Sequence, residues 1–411
     1  MNTRRTIFIL GLATALLIPG DAVLYTVLPS QPALLGLTAG MLGLVLGVNR
    51  LIRVVVGSPL GALSDRWGRR PVLLLGAVLG VASTAGYVLL SGYGPLLVAR
   101  LVWGTAWAAL MVAGYGAILD LVHESRRGAV VGVYQWMIFT GGTLAMLAGG
   151  FLSDRVGLPA VLWGCAGLGL VGVVLALVGV PETRHPGARL YRGSSLRGTL
   201  AVLANRDLAV ASLVNFCLYF GGSGLLLSTL GYFLDELQPP GGFSLGVMTL
   251  RVASLTGVLL AAQGLLSISV APLFGHLSDR VGRRWPFVAL GLALGVVGLV
   301  GFVVAPDLAA AIGALALFSV SRGLIPAPLA AWAGDAAPAE QRGLAMGAFL
   351  TLGDLGSGIS PILAYLIIDW WGVRWAYALG AVVLGLAVLL LLATKWLARS
   401  TSDPRIHANP R

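Results

Sequence analysis

Six ionisable residues stand inside long apolar runs of this 411-residue chain: Asp21, Arg50, Arg53, Arg100, Arg322 and Asp354. A charge at the centre of a membrane helix costs on the order of 3 kcal/mol, so each must face a partner or a water-filled cavity. A carboxylate in such a place can take up and release a proton, and a guanidinium can hold a carboxylate or phosphate through paired hydrogen bonds. Aromatic side chains lie about a turn or two away on the same faces: Tyr25 with Asp21, Trp103 and Trp107 with Arg100, Phe318 with Arg322. Faces of this kind suit a flat or amphipathic ligand, held by stacking and cation–π contact. Trp103 serves equally well as a membrane-interface anchor, whereas the deeper Trp107 favours a cavity. Asn215 and Tyr219, polar and one turn apart, form a weaker face of the same type.

The elements that must position these residues are membrane helices. The chain is 57% hydrophobic and only 10% charged, against about 25% charged in an ordinary soluble protein. Apolar runs of spanning length recur from end to end and lack the two-residue alternation of a barrel strand. They predict twelve helices near 6–29, 38–63, 71–92, 95–119, 128–150, 159–180, 208–234, 250–275, 286–305, 308–333, 343–367 and 375–397. The first is expected to be retained, since Arg4 and Arg5 precede an apolar run with no small-residue cleavage site. Twenty of the 27 Lys and Arg fall on one side of this topology, and only Arg155, Arg251 and Arg374 on the other. The positive-inside rule then puts both termini in the cytoplasm. Short loops and the lack of any Asn-x-Ser/Thr acceptor lean toward a bacterial inner membrane. Cys165 and Cys217 lie in apolar runs and imply no disulfide framework.

Several functions lack their machinery. Gly167-x-Gly169-x-x-Gly172 has dinucleotide-fingerprint spacing but sits mid-helix with no preceding strand, so it reads as helix-packing glycine. There is no phosphate-binding loop for ATP-driven pumping, no metal-ligand cluster and no nucleophile elbow. No cofactor or metal is expected, and no solvated basic, aromatic-rich surface suggests nucleic acid. An enzyme has no footing here.

The chain repeats itself. Leu63-Ser64-Asp65-Arg66-Trp67-Gly68-Arg69-Arg70 returns as Leu277-Ser278-Asp279-Arg280-Val281-Gly282-Arg283-Arg284, with seven of eight residues identical at an offset of 214. At an offset of 215, Asp120, Arg127, Gly128, Gly132 and Gly141 return as Asp335, Arg342, Gly343, Gly347 and Gly356, and Asp154 and Gly157 as Asp369 and Gly372. Two six-helix bundles follow, 1–180 and 208–399, with a polar cytoplasmic linker at 181–207 and a tail at 400–411. Parallel repeats of this kind place a substrate between the halves near the midplane. Gly150-x-x-x-Asp154-Arg155-x-Gly157 also copies the spacing of Gly61-x-x-x-Asp65-Arg66-x-Gly68, at the opposite end of the bundle, as a nested inverted repeat would.

In these residues the chain resembles the major facilitator superfamily, over nearly its whole length. Gly61 to Arg70 is similar to the family's signature loop between helices 2 and 3, and its duplicate falls between helices 8 and 9. The resemblance implies an all-α integral membrane fold of two pseudo-symmetric six-helix bundles, with these loops as cytoplasmic latches. Their residues would be Gly61, Asp65, Arg66, Gly68, Arg69, Arg70, Gly275, Asp279, Arg280, Gly282, Arg283 and Arg284, which equally serve as topology determinants. Arg100-x-x-x-Gly104 resembles the family's second signature, an intramembrane arginine tied to proton coupling. Asp21 resembles the acidic position of the drug/proton antiporter branch. The antiporter signature in helix 5 is partial: its glycines are in place, but Ala145-Met146 stands where Gly-Pro belongs.

In this family helices 1, 4, 7 and 10 line the central cavity and helix 2 meets helix 11. The resemblance therefore makes Asp21, Tyr25, Arg100, Trp107, Asn215, Tyr219 and Arg322 substrate or proton candidates. It makes Arg50 or Arg53 with Asp354 a cross-half ion pair, either permanent or broken as the carrier rocks. The leading expectation is proton-coupled efflux of amphipathic small molecules by a monomeric carrier, its other partners being protons and membrane lipids. A carrier of organic anions or anionic lipids, clamped by Arg100 and Arg322, is the first alternative. A non-transporting receptor is the second.

Overall fold

The computed structural model describes residues 3–90, 92–123, 126–184, 198, 201–239, 242–245, 248–281, 283–338 and 341–401. Among them are twelve helices long and apolar enough to cross a membrane. They are α1 (Thr3–Val27), α2 (Ala39–Trp67), α3 (Arg69–Leu89), α4 (Tyr93–Leu121), α5 (Arg127–Val156) and α6 (Leu158–Gly179), then α7 (Arg206–Leu237), α8 (Val252–Val281), α9 (Trp285–Val304), α10 (Leu308–Asp335), α11 (Arg342–Trp371) and α12 (Val373–Thr401). All twelve expected spans are present. Several helices outrun them, α5 reaching Val156 and α8 Val281, because polar residues mark the edge of the apolar run rather than the end of the helix. Helices α2, α5 and α11 stop where Gly68, Gly157 and Gly372 take φ of 108°, 84° and 88°, angles that favour glycine and turn the chain straight into the next helix.

Proline and glycine also break helices from within. Helix α1 is two segments, Thr3–Leu17 and Pro19–Val27, because Pro19 has no N–H to continue the ladder. Helix α10 breaks in the same way ahead of Pro326. In α7 a π-helical stretch, Phe220–Leu226, holds Gly221, Gly222 and Gly224. Between α7 and α8 the all-helical pattern yields to a short antiparallel hairpin, Phe243–Leu245 with Met248–Leu250.

Two compact units result. Unit 1 gathers α1–α6 with the segments Ser223–Gly264 and Ser357–Ala376. Its core runs through Leu10 and Leu17 of α1, Val72 and Ala77 of α3, Ala109 and Ala113 of α4, and Tyr134 of α5. Unit 2 holds α7 up to Gly222, the stretch Leu265–Gly356 and the chain from Tyr377. There Phe302 stacks on Tyr377 at 4.7 Å, and α9 closes on α10 where Gly298 meets Phe318. Large apolar side chains such as Val178, Val174, Leu144 and Leu389 remain exposed, as lipid-facing positions should. Most of the expected linker, 185–197 with 199 and 200, lies outside the described residues, as do 402–411 of the tail and Gly282 of the second loop.

Candidate functional site

Four helices of unit 1, α1 to α4, build one charged cluster. Arg100 of α4 is fully buried, and its Nη1 donates to Asp21 Oδ1 of α1 as an ion pair. Its Nε donates to the Val45 carbonyl of α2 at 2.8 Å, Nη2 to the Tyr25 hydroxyl at 3.1 Å and Nη1 to the Tyr87 hydroxyl at 3.4 Å. Nothing of that guanidinium reaches solvent, whereas the Asp21 side chain keeps 14% exposure. Asp21 is therefore the member of the pair that water, a proton or a ligand can reach.

Tyr25 knits the cluster together. Its hydroxyl donates to the Leu46 carbonyl at 2.6 Å and accepts from Arg100 and from Arg50 Nε at 3.3 Å. Its ring carries both guanidiniums, Arg50 at 5.4 Å and Arg100 at 5.2 Å from the centroid. Next to it Arg53 stacks on Trp107 at 5.1 Å. Trp103 is fully buried against Gly80, which corrects the interface-anchor reading. Asn49 of α2 escaped the sequence reading. Buried completely, it donates from Nδ2 to Asp21 Oδ1 at 3.4 Å and accepts from the Tyr25 hydroxyl at 3.3 Å. Its polarity inside an apolar run, next to Arg50, was the available signal.

The spacing Arg100-x-x-x-Gly104 has a local explanation. The two residues lie one turn apart on the same face of α4. Gly104 sits against the Asn49 carbonyl and Ile52, so close that a Cβ would collide with both. That approach of α4 to α2 is what brings the Arg100 guanidinium within reach of Val45.

Unit 2 holds the remaining candidates. Arg322 lies over the Tyr219 ring at 5.9 Å and against Gly222, where a Cβ would strike its Nη1. Asn215 is buried and donates to the Phe349 carbonyl of α11 at 2.8 Å. Its amide is thus engaged with backbone. Asp354 lies on α11 within this unit.

The first loop is gripped from several sides. Arg69 bonds Asp65 at 2.5 Å and Asp120 of α4 at 3.0 Å, and Arg70 donates to the Leu177 carbonyl at 2.7 Å. Arg184 donates to the Arg66 carbonyl at 3.1 Å. In the duplicate, Arg284, the counterpart of Arg70, pairs with Asp335, the counterpart of Asp120, at 3.2 Å. Gly61 and Gly275 lie within α2 and α8, and Arg280 and Arg283 flank the second loop; of the Asp279 side chain nothing is described.

A further residue missed in the sequence, Glu182, caps α3. Gly68 stands at the N-cap position and offers no side chain, so the first N–H groups of α3 need another acceptor. Glu182 supplies it, accepting from the backbone N–H groups of Arg69 at 2.9 Å and Arg70 at 3.1 Å, and also of Thr183 and Arg184. Partial burial pushes its carboxyl upward, but these four donors prevail and hold it below the usual carboxylate range. The stabilisation is therefore complete above about pH 4.3, the free-glutamate value, and disappears as pH falls through the lower folded value. Glu182→Gln should flatten the acid limb of a melting-temperature profile, and Glu182→Ala should cost on the order of 1 kcal/mol, as the loss of a cap does.

The family model for the Major Facilitator Superfamily matches residues 10–258 and 252–410. The inner membrane transport protein YajR of Escherichia coli is 26% identical over 365 residues, 88% of this chain and 76% of its own length. The multidrug resistance protein MdtG of Salmonella arizonae is 26% identical over 244 residues, 58% of this chain and 57% of its own. A bacterial homologue of the human lysosomal transporter Spinster, crystallised inward-facing and unoccupied, superposes with a TM-score of 0.78 at 17% identity, covering 98% of this chain and 99% of that one. The likeness to that structure is one of fold.

Proposed function

The chain belongs to the major facilitator superfamily, a family of membrane transporters and not of enzymes, and within it we propose proton-coupled efflux of amphipathic small molecules. The observation that carries the reading is the Asp21–Arg100 pair, in which the acid is reachable and the base is sealed. A proton arriving at Asp21 removes the counter-charge of Arg100 and weakens the carboxyl as acceptor of the Asn49 amide. The cluster then rearranges, and a substrate held by Asp21 and the neighbouring aromatic faces loses its anchor. Proton entry and substrate release compete for a single carboxylate, which is the logic of antiport.

Two further considerations support this direction. All the donors of Arg100 that the geometry engages point to Asp21, Val45, Tyr25 and Tyr87, so its guanidinium is poorly placed to clamp a substrate anion. MdtG, a partial relative, carries a multidrug-resistance name. In the same reading the end bearing the two basic loops faces the cytoplasm of a bacterial cell, with both termini there. Within unit 2, Tyr219 and Arg322 offer a substrate a cation–aromatic face.

The experiment is transport in proteoliposomes with an imposed pH gradient and a fluorescent amphipathic cation. Asp21→Asn keeps the shape and an acceptor for Arg100 but cannot exchange a proton. It should lose gradient-driven flux at least tenfold and bind the dye more weakly, while the protein stays folded. Wild-type rates in this variant would end the proposal.

A further inference from the structure

The Asp154 motif at the end of α5 has no part in the mechanism above, yet unit 1 puts it to use. Asp154 Oδ2 accepts from the backbone N–H of Ser254 at 2.8 Å and from its hydroxyl at 2.5 Å. Ser254 is the third residue of α8, so the carboxylate takes one of the donors that a helix start leaves unpaired. Arg251, just before α8, returns a hydrogen bond to the Asp154 carbonyl at 3.4 Å. Behind this contact the two helices touch backbone to backbone: a Cβ at Gly150 would strike the Ala253 carbonyl, and one at Gly257 the Met146 carbonyl.

Asp369, the repeat partner of Asp154, sits in the matching place. It ends α11, and its carboxylate lies against Gly40, the second residue of α2, where a Cβ would collide with it. Here too the helices meet at backbone distance, with Gly43 at the Pro361 carbonyl and Gly47 at that of Gly358. Each carboxylate therefore closes a helix from one sequence half onto the first turn of a helix from the other. Asp154 meets the positive end of the α8 dipole and one of its open N–H groups, and Asp369 lies against the first turn of α2, where the dipole of that helix is positive.

We propose that Asp154 and Asp369 are a matched pair of latches that hold this end of the carrier shut, counterparts of the basic loops at the opposite end. A carrier that opens here must release both caps. Because the two contacts are related by the repeat, loss of one weakens closure and loss of both removes it. The proposal concerns closure alone and is independent of the coupling ion.

Spin labels at Gln31→Cys and Gln238→Cys, in a chain carrying Cys165→Ala and Cys217→Ala, report the separation of α1 from α7 at this end by pulsed dipolar spectroscopy in lipid nanodiscs. Adding Asp154→Ala with Asp369→Ala should raise the ratio of long to short distances about threefold or more, the range expected when two helix-end charges are lost. Each single variant should lie between, and Asp154→Asn with Asp369→Asn, which keeps an acceptor but no charge, should fall short of the alanine pair. An unchanged distance distribution accompanied by a lower melting temperature would make the two residues static caps and overturn the proposal. Should the double alanine variant fail to fold, the single variants and the asparagine pair decide by the same ratio.

Discussion

Replacing Arg100 by methionine should destabilise the protein by about 3–5 kcal/mol, as breaking a buried ion pair from one side does. The loss is not the strength of one contact. Asp21 would lose its counter-charge and keep the Asn49 amide at 3.4 Å, and the Val45 carbonyl and the Tyr25 and Tyr87 hydroxyls would each lose a donor. An unsatisfied buried polar group costs roughly 1–3 kcal/mol by itself. Arg100→Lys should fare little better, because one ammonium cannot span an arc of four partners that a planar guanidinium reaches from three nitrogens. Thermal unfolding in detergent measures the cost. Pairing Arg100→Met with Asp21→Asn removes both charges, and should recover a good part of the stability and none of the gradient-driven flux. Stability that stays near wild type in Arg100→Met would mean that the pair does not hold the bundle together.

Gly104→Ala is the second large expectation, and the smaller the added group the more telling the result. The new methyl would meet the Asn49 carbonyl and Ile52 with no flexible side chain alone able to yield, so α4 must retreat from α2. A retreat of even about 1 Å lengthens the 2.8 Å bond from Arg100 to Val45 beyond hydrogen-bond range. Transport should fall by about a hundredfold, the cost of misplacing a functional group by that distance, and melting should drop with it. Gly164→Ala, in α6 with open space around its Cα, is the control and should behave as wild type in both measurements. Equal losses in the two variants would point to helix propensity rather than to the close approach.

What the sequence displays and what it hides divide along one physical line. A charge inside an apolar run is visible in the sequence and demands a partner, so Asp21 and Arg100 were legible as candidates, and they do meet. The twelve spans and the repeated loops rest on composition and identity, which need no structure. Rotation about a helix axis is another matter. A turn of 100° separates a cavity wall from a buried seam, and no composition signal sets it when the surroundings are apolar on every side. Asn215 shows this: polar and one turn from Tyr219, it suggested a ligand face, yet its amide is bonded to the Phe349 backbone. Glu182 was hidden for a different reason, since its role appears only once Gly68 is known to leave the start of α3 uncapped. Asp154 was visible as a spacing and silent as to purpose until Ser254 was placed beside it.

Two backbone oxygens of α2 lead double lives. Val45 and Leu46 each accept a side-chain donor, Arg100 and Tyr25 respectively, while standing where the amides of Asn49 and Arg50 seek their helical acceptors. Shared oxygens hold each amide more loosely, so this turn of α2 is tuned by the charge state of groups on two other helices. Deuterium uptake at Asn49 and Arg50 should accordingly track the occupancy of Asp21 by a proton, giving a clock on the coupling step that needs neither a substrate nor a gradient to be read.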